Sequence, residues 1–188
     1  MLVAARTAAW GGKRIPYLRR VKYLESDNNS YIVIHPGNIY SFTIELFGGV
    51  GGVIGQWNNG SQLVGFQSSE SKIFYMKTLW ASDSFDKDGN YFHYDSTGKL
   101  INGSNNVTIQ NINMSHGNLG IFCYAYSTTR VTRIGNAKVG RVVISGLNDY
   151  ELIPVLDISG RPAMYDEVSG NLFYNQGTGE FTWGELET

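Results

Sequence analysis

The chain has little of several features that would point to particular protein classes. It contains one cysteine, Cys123, which excludes an intrachain disulfide and a cysteine-based zinc site. It has only four prolines, and 16% of its residues are charged, a composition unlike that of disordered chains. No apolar run approaches the ~18 residues of a transmembrane helix. The net charge of −1 gives no attraction to nucleic acid, so we predict neither a nucleic-acid nor a membrane partner.

Glycine and aromatic residues are abundant, at 23 glycines and 13% aromatics. The apolar runs are short and separated by turn residues, which is typical of β-strands. Residues 38–48 alternate polar and apolar side chains, and residues 21–34 read as a strand pair around a turn at 27–30. The apolar runs 119–126 and 137–145 are expected to lie side by side, and the glycine cluster at 48–52 predicts a close approach of two backbones. These patterns indicate a two-sheet sandwich.

The closing stretch, residues 152–183, has the most specific pattern. A short apolar run ends at Asp157, and Ser-Gly-Arg-Pro then interrupts the strand. Residues 163–166 and 172–174, on either side of a Val-Ser-Gly-Asn turn, predict a hairpin with its apolar residues on one face. Phe181 to Trp183 is expected to form a terminal strand or plug.

These residues also carry a resemblance to a known family. The I-P-x-x-D…G-R-P-A-M-Y-D-E-V-S-G-x-L-F-Y-N-x-G-T-G-E-F ending resembles the closing segment of LamG-like, concanavalin A-like jelly rolls. The V-K-Y-L-E-S…S-Y-I segment at residues 21–32 is similar to the start of the same family. The resemblance covers residues 21–183 and implies an all-β, two-sheet antiparallel jelly-roll sandwich. Proteins of this kind occur in bacteriophages and gut bacteria, so it implies a fold more firmly than a function.

Residues 1–20 differ from the rest of the chain. They carry five basic residues and no acid, with one tryptophan among them, and Arg6 interrupts an apolar stretch too short for a secretory signal. One interpretation is a frayed basic terminus. The other, which the resemblance to phage proteins favours, is an extended docking arm at residues 1–20 preceding a jelly-roll domain at residues 21–188. Its predicted docking residues are Arg6, Trp10, Lys13, Arg14, Arg19 and Arg20.

Four aromatic residues are candidate ligand contacts. Trp57, Trp80, Tyr91 and Tyr94 offer flat apolar faces, and asparagines in nearby turns offer paired donors and acceptors. A sugar ring matches both features. The alternative for each aromatic residue is a place in the core.

Catalytic and metal-binding patterns are missing from the sequence. No E-x-D-x-E or G-x-S-x-G motif occurs, and the three histidines lie far apart. Asp86, Asp88 and Asn90 imitate the start of a calcium loop, but Tyr91 and Thr97 stand where glycine and glutamate are needed. We therefore predict no enzyme activity, no metal and no cofactor.

The sequence thus favours a noncatalytic structural module of a bacteriophage virion: a capsid decoration protein, a head fibre or a tail-associated adhesin. Expected partners are virion shell or fibre proteins and copies of itself, with host or mucus glycans as a further contact. The alternative is a carbohydrate-binding domain on a bacterial cell surface, and the third possibility is a glycoside hydrolase.

Overall fold

The protein is a β-sandwich in a computed structural model. The structure describes residues 17–58, 61–69, 72–75, 78–81, 90–95, 99–102, 105–108, 117–125, 127, 130–132 and 134–187. All regular elements in these ranges are strands, which confirms the predicted all-β class.

The strands follow one another through short connections. In chain order they are β1 (Tyr17–Arg20), β2 (Leu24–Glu25), β3 (Ile32–Gly37), β4 (Ile39–Gly48), β5 (Gly51–Asn58), β6 (Ser61–Ser69), β7 (Lys72–Tyr75), β8 (Thr78–Ala81), β9 (Asn90–Asp95), β10 (Lys99–Asn102), β11 (Asn105–Thr108), β12 (Gly117–Ile121), β13 (Tyr124–Ala125), β14 (Val131–Thr132), β15 (Lys138–Gly146), β16 (Tyr150–Asp157), β17 (Pro162–Asp166), β18 (Leu172–Phe173) and β19 (Thr182–Trp183).

Two sheets share these strands. The first sheet has the order β11-β10-β9-β4-β15-β16-β17-β18, with β1 beside β16 and β2 between β15 and β19. The second has the order β14-β13-β5-β6-β7-β8, with β12 joining β3 to β5. The described pairings are antiparallel, apart from β13 with β5 and one isolated bridge.

The main core lies between the sheets and follows the alternation of the strands. On β4, Phe42, Ile44 and Leu46 are buried, whereas Thr43 and Glu45 point to the outer side and are half-buried. The predicted alternation of this strand is confirmed. Burial of such side chains is the main favourable contribution to folding.

The glycine cluster after β4 carries the chain from one sheet to the other. Gly49 and Gly51 have φ values of 99° and 105°, in the region that favours glycine. A Cβ atom on Gly51 would lie 2.5 Å from the Cα of Gly135. Two backbones therefore approach here too closely for any other residue, as the sequence predicts.

Two predicted strand pairings are wrong: that within residues 21–34, and that of run 119–126 with run 137–145. β2 and β3 do not pair with each other, because β2 joins β15 in the first sheet and β3 joins β12 in the second. The apolar run at residues 119–126 is also split at Phe122, which has a φ of 66°. The two resulting strands, β12 and β13, both belong to the second sheet, whereas β15 belongs to the first. Apolar runs identify buried strands but carry no information on their partners.

The last four residues of the predicted docking arm, Tyr17–Arg20, form β1 of the first sheet. β1 pairs with the end of β16, with Tyr17 opposite Asp157 and Arg20 opposite Val155. The Tyr17 ring lies 4.9 Å from that of Tyr165. The sandwich therefore begins at β1, at the latest.

The closing hairpin forms as predicted, but its apolar residues face both ways. Met164 is fully buried in the main core, and Phe173 packs against that core. Tyr165 and Leu172 instead belong to a second, small apolar cluster on the outer side of the first sheet. The expectation that one face holds them all is wrong, because β17 is covered on both sides.

Within the described ranges, no helix has the length and apolar character that crossing a membrane requires.

Candidate functional site

The four predicted ligand contacts fall in different places. Trp57 lies on β5 and Trp80 on β8, and their side chains are outside the described part of the chain. Tyr94 is 0% exposed and stacks on Phe42 in the core, with ring centroids 5.5 Å apart. Its prediction as a ligand contact is corrected, because a ligand in solvent does not reach it. Tyr91 is 54% exposed on the outer face of β9.

Tyr91 stands in a row of polar side chains across four strands, β9, β4, β15 and β16. It lies opposite Glu45, whose carboxylate accepts a hydrogen bond from the Arg141 backbone N–H at 3.1 Å. The Arg141 guanidinium in turn pairs with Glu151. Partial burial, followed by the neighbouring Glu45, raises the pKa of Tyr91. These polar groups are therefore already engaged with one another.

The predicted docking arm is described only at its end. Arg6, Trp10, Lys13 and Arg14 lie outside the described residues. Arg19 is exposed on β1. Arg20 binds the Glu167 carboxylate at 2.5 Å and donates to the Tyr17 hydroxyl at 3.3 Å, so its side chain is engaged inside the domain.

A concave surface opens beside the turn between β16 and β17. We call it the Trp183 groove, and its volume is about 540 Å³. That lies within the range of small-ligand sites. It is lined by Gly160, Arg161, Pro162, Asn175, Gly177, Gly179, Glu180, Phe181 and Trp183.

One wall of the groove depends on Asp157. Its Oδ1 accepts the backbone N–H groups of Ser159 and Arg161 at 2.8 and 2.9 Å and the Ser159 hydroxyl at 2.7 Å. Its Oδ2 accepts the Tyr174 hydroxyl at 2.9 Å. Burial by itself would raise the pKa of Asp157, but these hydrogen bonds outweigh it and lower the pKa to about 2. The carboxylate is ionised at neutral pH and holds the turn.

Arg161 is positioned by the same network. Its guanidinium carbon lies 4.1 Å from the centroid of the Tyr174 ring, a cation–π contact. Burial and the Asp157 carboxylate raise the pKa of Tyr174, so its phenol stays protonated as the donor. Arg161 is nonetheless exposed, and its guanidinium can only donate hydrogen bonds.

The opposite wall is tied to the first turn of the domain. The Glu180 backbone N–H donates to Asp27 at 3.0 Å, and the Glu180 side chain is exposed. Burial alone would raise the pKa of Asp27, whereas hydrogen bonds from Ser30, Glu180 and Asn29 lower it. The Asn175 amide oxygen accepts from Tyr31 and Gly177 at 3.0 and 2.8 Å. Asn175 therefore supports the wall.

Two aromatic residues close the groove. Phe181 is buried against Phe122 with ring centroids 4.8 Å apart, so it is the plug that the sequence predicts. Trp183, two residues later on β19, is 46% exposed. A half-exposed indole in a concave surface offers an apolar face that the fold itself leaves open.

A second hollow, of about 470 Å³, borders the turn between β17 and β18. Asp166 lies at its floor and is fully buried. Both Asp166 oxygens accept hydrogen bonds from the surrounding turn and from Glu151, so the carboxylate is engaged. This hollow exposes no aromatic face comparable with that of Trp183.

The residues that the structure describes offer few groups for catalysis or for metal binding. Among the residues that the structure describes, no three histidine, cysteine or acidic side chains cluster as metal ligands do. Burial raises the pKa of Cys123, which keeps its thiol protonated. The calcium-like residues Asp86 and Asp88 lie outside the described ranges, and Asn90 begins β9.

Comparison with family models, with curated proteins and with solved structures finds no match for this chain. The concanavalin A-like resemblance therefore stays a prediction, while the two-sheet sandwich is seen directly.

Sequence reasoning missed the Trp183 groove because its residues come from two separate segments, 160–162 and 175–183. Trp183 was placed in a terminal strand or plug, and Arg161 was treated as part of a strand break. The two-residue spacing of Phe181 and Trp183 gives no signal of the groove, because residues i and i+2 of a strand lie on the same face. The different exposure of these two aromatic residues is seen only in the structure.

Proposed function

We propose that this chain is a noncatalytic structural module of a bacteriophage virion, in the role of a capsid decoration protein, a head fibre or a tail-associated adhesin. The Trp183 groove is its contact surface for a ligand. The virion role rests on the resemblance of residues 152–183 and 21–32 to phage jelly rolls.

The observation that carries the noncatalytic part is the chemistry of the groove walls. Glycoside hydrolysis needs two carboxyl groups on either side of the scissile bond. The described lining has one exposed carboxylate, that of Glu180, and Asp157 behind it is bound by four hydrogen bonds. Such a groove favours binding over bond cleavage.

The basic residues upstream of β1 supply the second half of the proposal. Residues 1–16 carry Arg6, Lys13, Arg14 and Trp10, and they join the fold at Tyr17. Arginine and tryptophan are frequent anchors in interfaces. We assign these residues to docking on a shell protein, a fibre protein or a neighbouring copy.

Electron microscopy tests the virion role. Particles purified from the source culture are labelled with a gold-tagged antibody against this chain, and regular labelling of heads or tails is expected. Label on bacterial cells and none on particles would favour the alternative, a carbohydrate-binding domain of a cell surface, which the exposed Trp183 also suits.

Reconstitution tests the docking arm. Purified domain lacking residues 1–16 is added to particles that lack the protein, with the full chain as control. We expect the full chain to bind and the truncated domain to stay in solution. Equal occupancy by both forms would exclude the arm.

A further inference from the structure

The Trp183 groove carries an inference about the class of its ligand, which rests on the proposed function only in taking the groove as a contact surface. We propose that it binds a neutral oligosaccharide, with one pyranose ring on the face of Trp183 and its hydroxyls between Arg161 and Glu180.

The apolar part of the match comes from Trp183. A pyranose presents a face of C–H groups surrounded by hydroxyls, so it needs a flat apolar partner with polar groups at the rim. The indole is 46% exposed, and its backbone is held in the first sheet by the pairing of Trp183 with Leu24 of β2. A side chain on a backbone that is already ordered in a sheet costs less to order on binding than one on a mobile loop.

The polar part of the match comes from Arg161 and Glu180. The guanidinium offers only donors and the carboxylate only acceptors, and a sugar hydroxyl can serve both. The cation–π contact with Tyr174 and the turn held by Asp157 position Arg161 before any ligand arrives. The Glu180 backbone is fixed to Asp27 in the same way.

The charge of the lining decides between neutral and acidic sugars. It contains one arginine and one glutamate, so the walls have no net charge. An acidic sugar would gain at Arg161 but meet repulsion and desolvation at Glu180. A neutral hexose chain uses both groups without that conflict.

Isothermal titration calorimetry tests the inference on the full chain. The probes are neutral gluco-, galacto- and manno-trisaccharides, with a galacturonic trisaccharide as the acidic comparison. We expect one neutral series to bind and the acidic probe to bind at least about tenfold more weakly, since one lost favourable pairing is worth roughly that factor.

Variants locate the site. Trp183→Ala should weaken binding by about tenfold or more, Glu180→Gln by a smaller factor, and Trp183→Phe should retain part of the affinity. Tyr40→Ala is the matched control, because Tyr40 is 50% exposed on β4 outside the groove lining, and binding should not change. Thermal melts of each variant separate loss of binding from loss of folding.

Three results would overturn the inference: no binding of any neutral probe at about 10 mM, unchanged binding by a folded Trp183→Ala variant, or preference for the acidic probe. Chain found on particles without sugar binding would refute this inference and leave the virion role intact. Trp183-dependent sugar binding by a chain absent from particles would do the reverse.

Discussion

Two turns of similar sequence lie at the ends of β17, and only one of them borders the Trp183 groove. The first runs D-I-S-G from Asp157, and the second D-E-V-S-G from Asp166. In each, the aspartate carbonyl accepts the N–H of the turn glycine, Gly160 or Gly170, at 2.9 and 2.8 Å. Both glycines have positive φ, at 85° and 78°. Both turns therefore close with the same backbone hydrogen bond, from a glycine of positive φ to the aspartate carbonyl.

The turns differ in what else their carboxylates bind. Asp166 accepts from Val168, Ser169 and the N–H of Glu151 on β16, so it ties its turn back to the sheet. The Asp157 carboxylate accepts hydrogen bonds from its own turn and from the Tyr174 hydroxyl. The Tyr174 ring in turn makes a cation–π contact with Arg161. Asp166 thus stabilises only its own turn and the adjoining sheet, whereas Asp157 also positions Arg161 in the lining of the Trp183 groove. A shared turn motif does not imply a shared role.

The largest expected effect on the free energy of unfolding comes from a substitution in the second turn, at Asp166. Asp166→Ala removes the acceptor of three backbone N–H groups and one hydroxyl, at a cost of about 4 kcal/mol in the free energy of unfolding. Chemical denaturation measures it. Asp149→Ala is the control, since Asp149 is exposed and accepts one N–H at 3.0 Å, and it should cost under about 1 kcal/mol. Equal losses would mean that burial of the carboxylate does not matter.

The next effect concerns β1, which pairs with β16 up to Asp157 of the first turn and reaches Glu167 of the second through Arg20. Deleting residues 1–20 removes the pairing with β16 and the Tyr17–Tyr165 contact, so we expect a loss of about 3 kcal/mol. Deleting residues 1–16 keeps these contacts and should change stability by less than about 0.5 kcal/mol. Thermal melts of the two truncated chains compare them. Identical melting points would show that β1 contributes nothing.

Asp157→Asn probes the charge of the first turn. We expect a loss of about 2 kcal/mol at neutral pH, because a neutral amide accepts more weakly. The pKa of Asp157 is lowered from 3.8 to about 2, so its stabilising contribution is present above pH 4 and is lost as pH falls toward 2. Unfolding measured from pH 6 to pH 2 should decline less in the variant. Parallel curves would contradict the assigned role.

Tyr174→Phe has the smallest expected effect on stability, about 1 kcal/mol, since one hydrogen bond to a carboxylate is lost and the ring remains. The pKa of Asp157 should rise, which carboxylate NMR titration detects. The Asp166 turn is unaffected by this change and serves as the internal reference.

Local sequence predicted much of the fold. The β4 alternation, the glycine crossing at Gly49 and Gly51 and the β17–β18 hairpin depend on side-chain period and backbone freedom, which a few consecutive residues determine. The sheet to which β2, β3 and β12 belong could not be predicted in this way. Strand partners are chosen by packing across the whole chain, and short apolar runs fit several partners equally well.

The candidate site, like the fold, could be predicted from the sequence only in part. The sequence by itself determined the break at Ser159 and Gly160 and the turn at Ser169 and Gly170, and it placed residues 181–183 in a terminal strand or plug. Only the tertiary structure decided that Tyr94 is buried, that Tyr17 to Arg20 belong to the first sheet, and that Arg161, Glu180 and Trp183 share one groove. Turn chemistry acts over four or five residues, whereas this groove combines the turn after β16 with the segment after β18, which the pairing of β17 with β18 brings together.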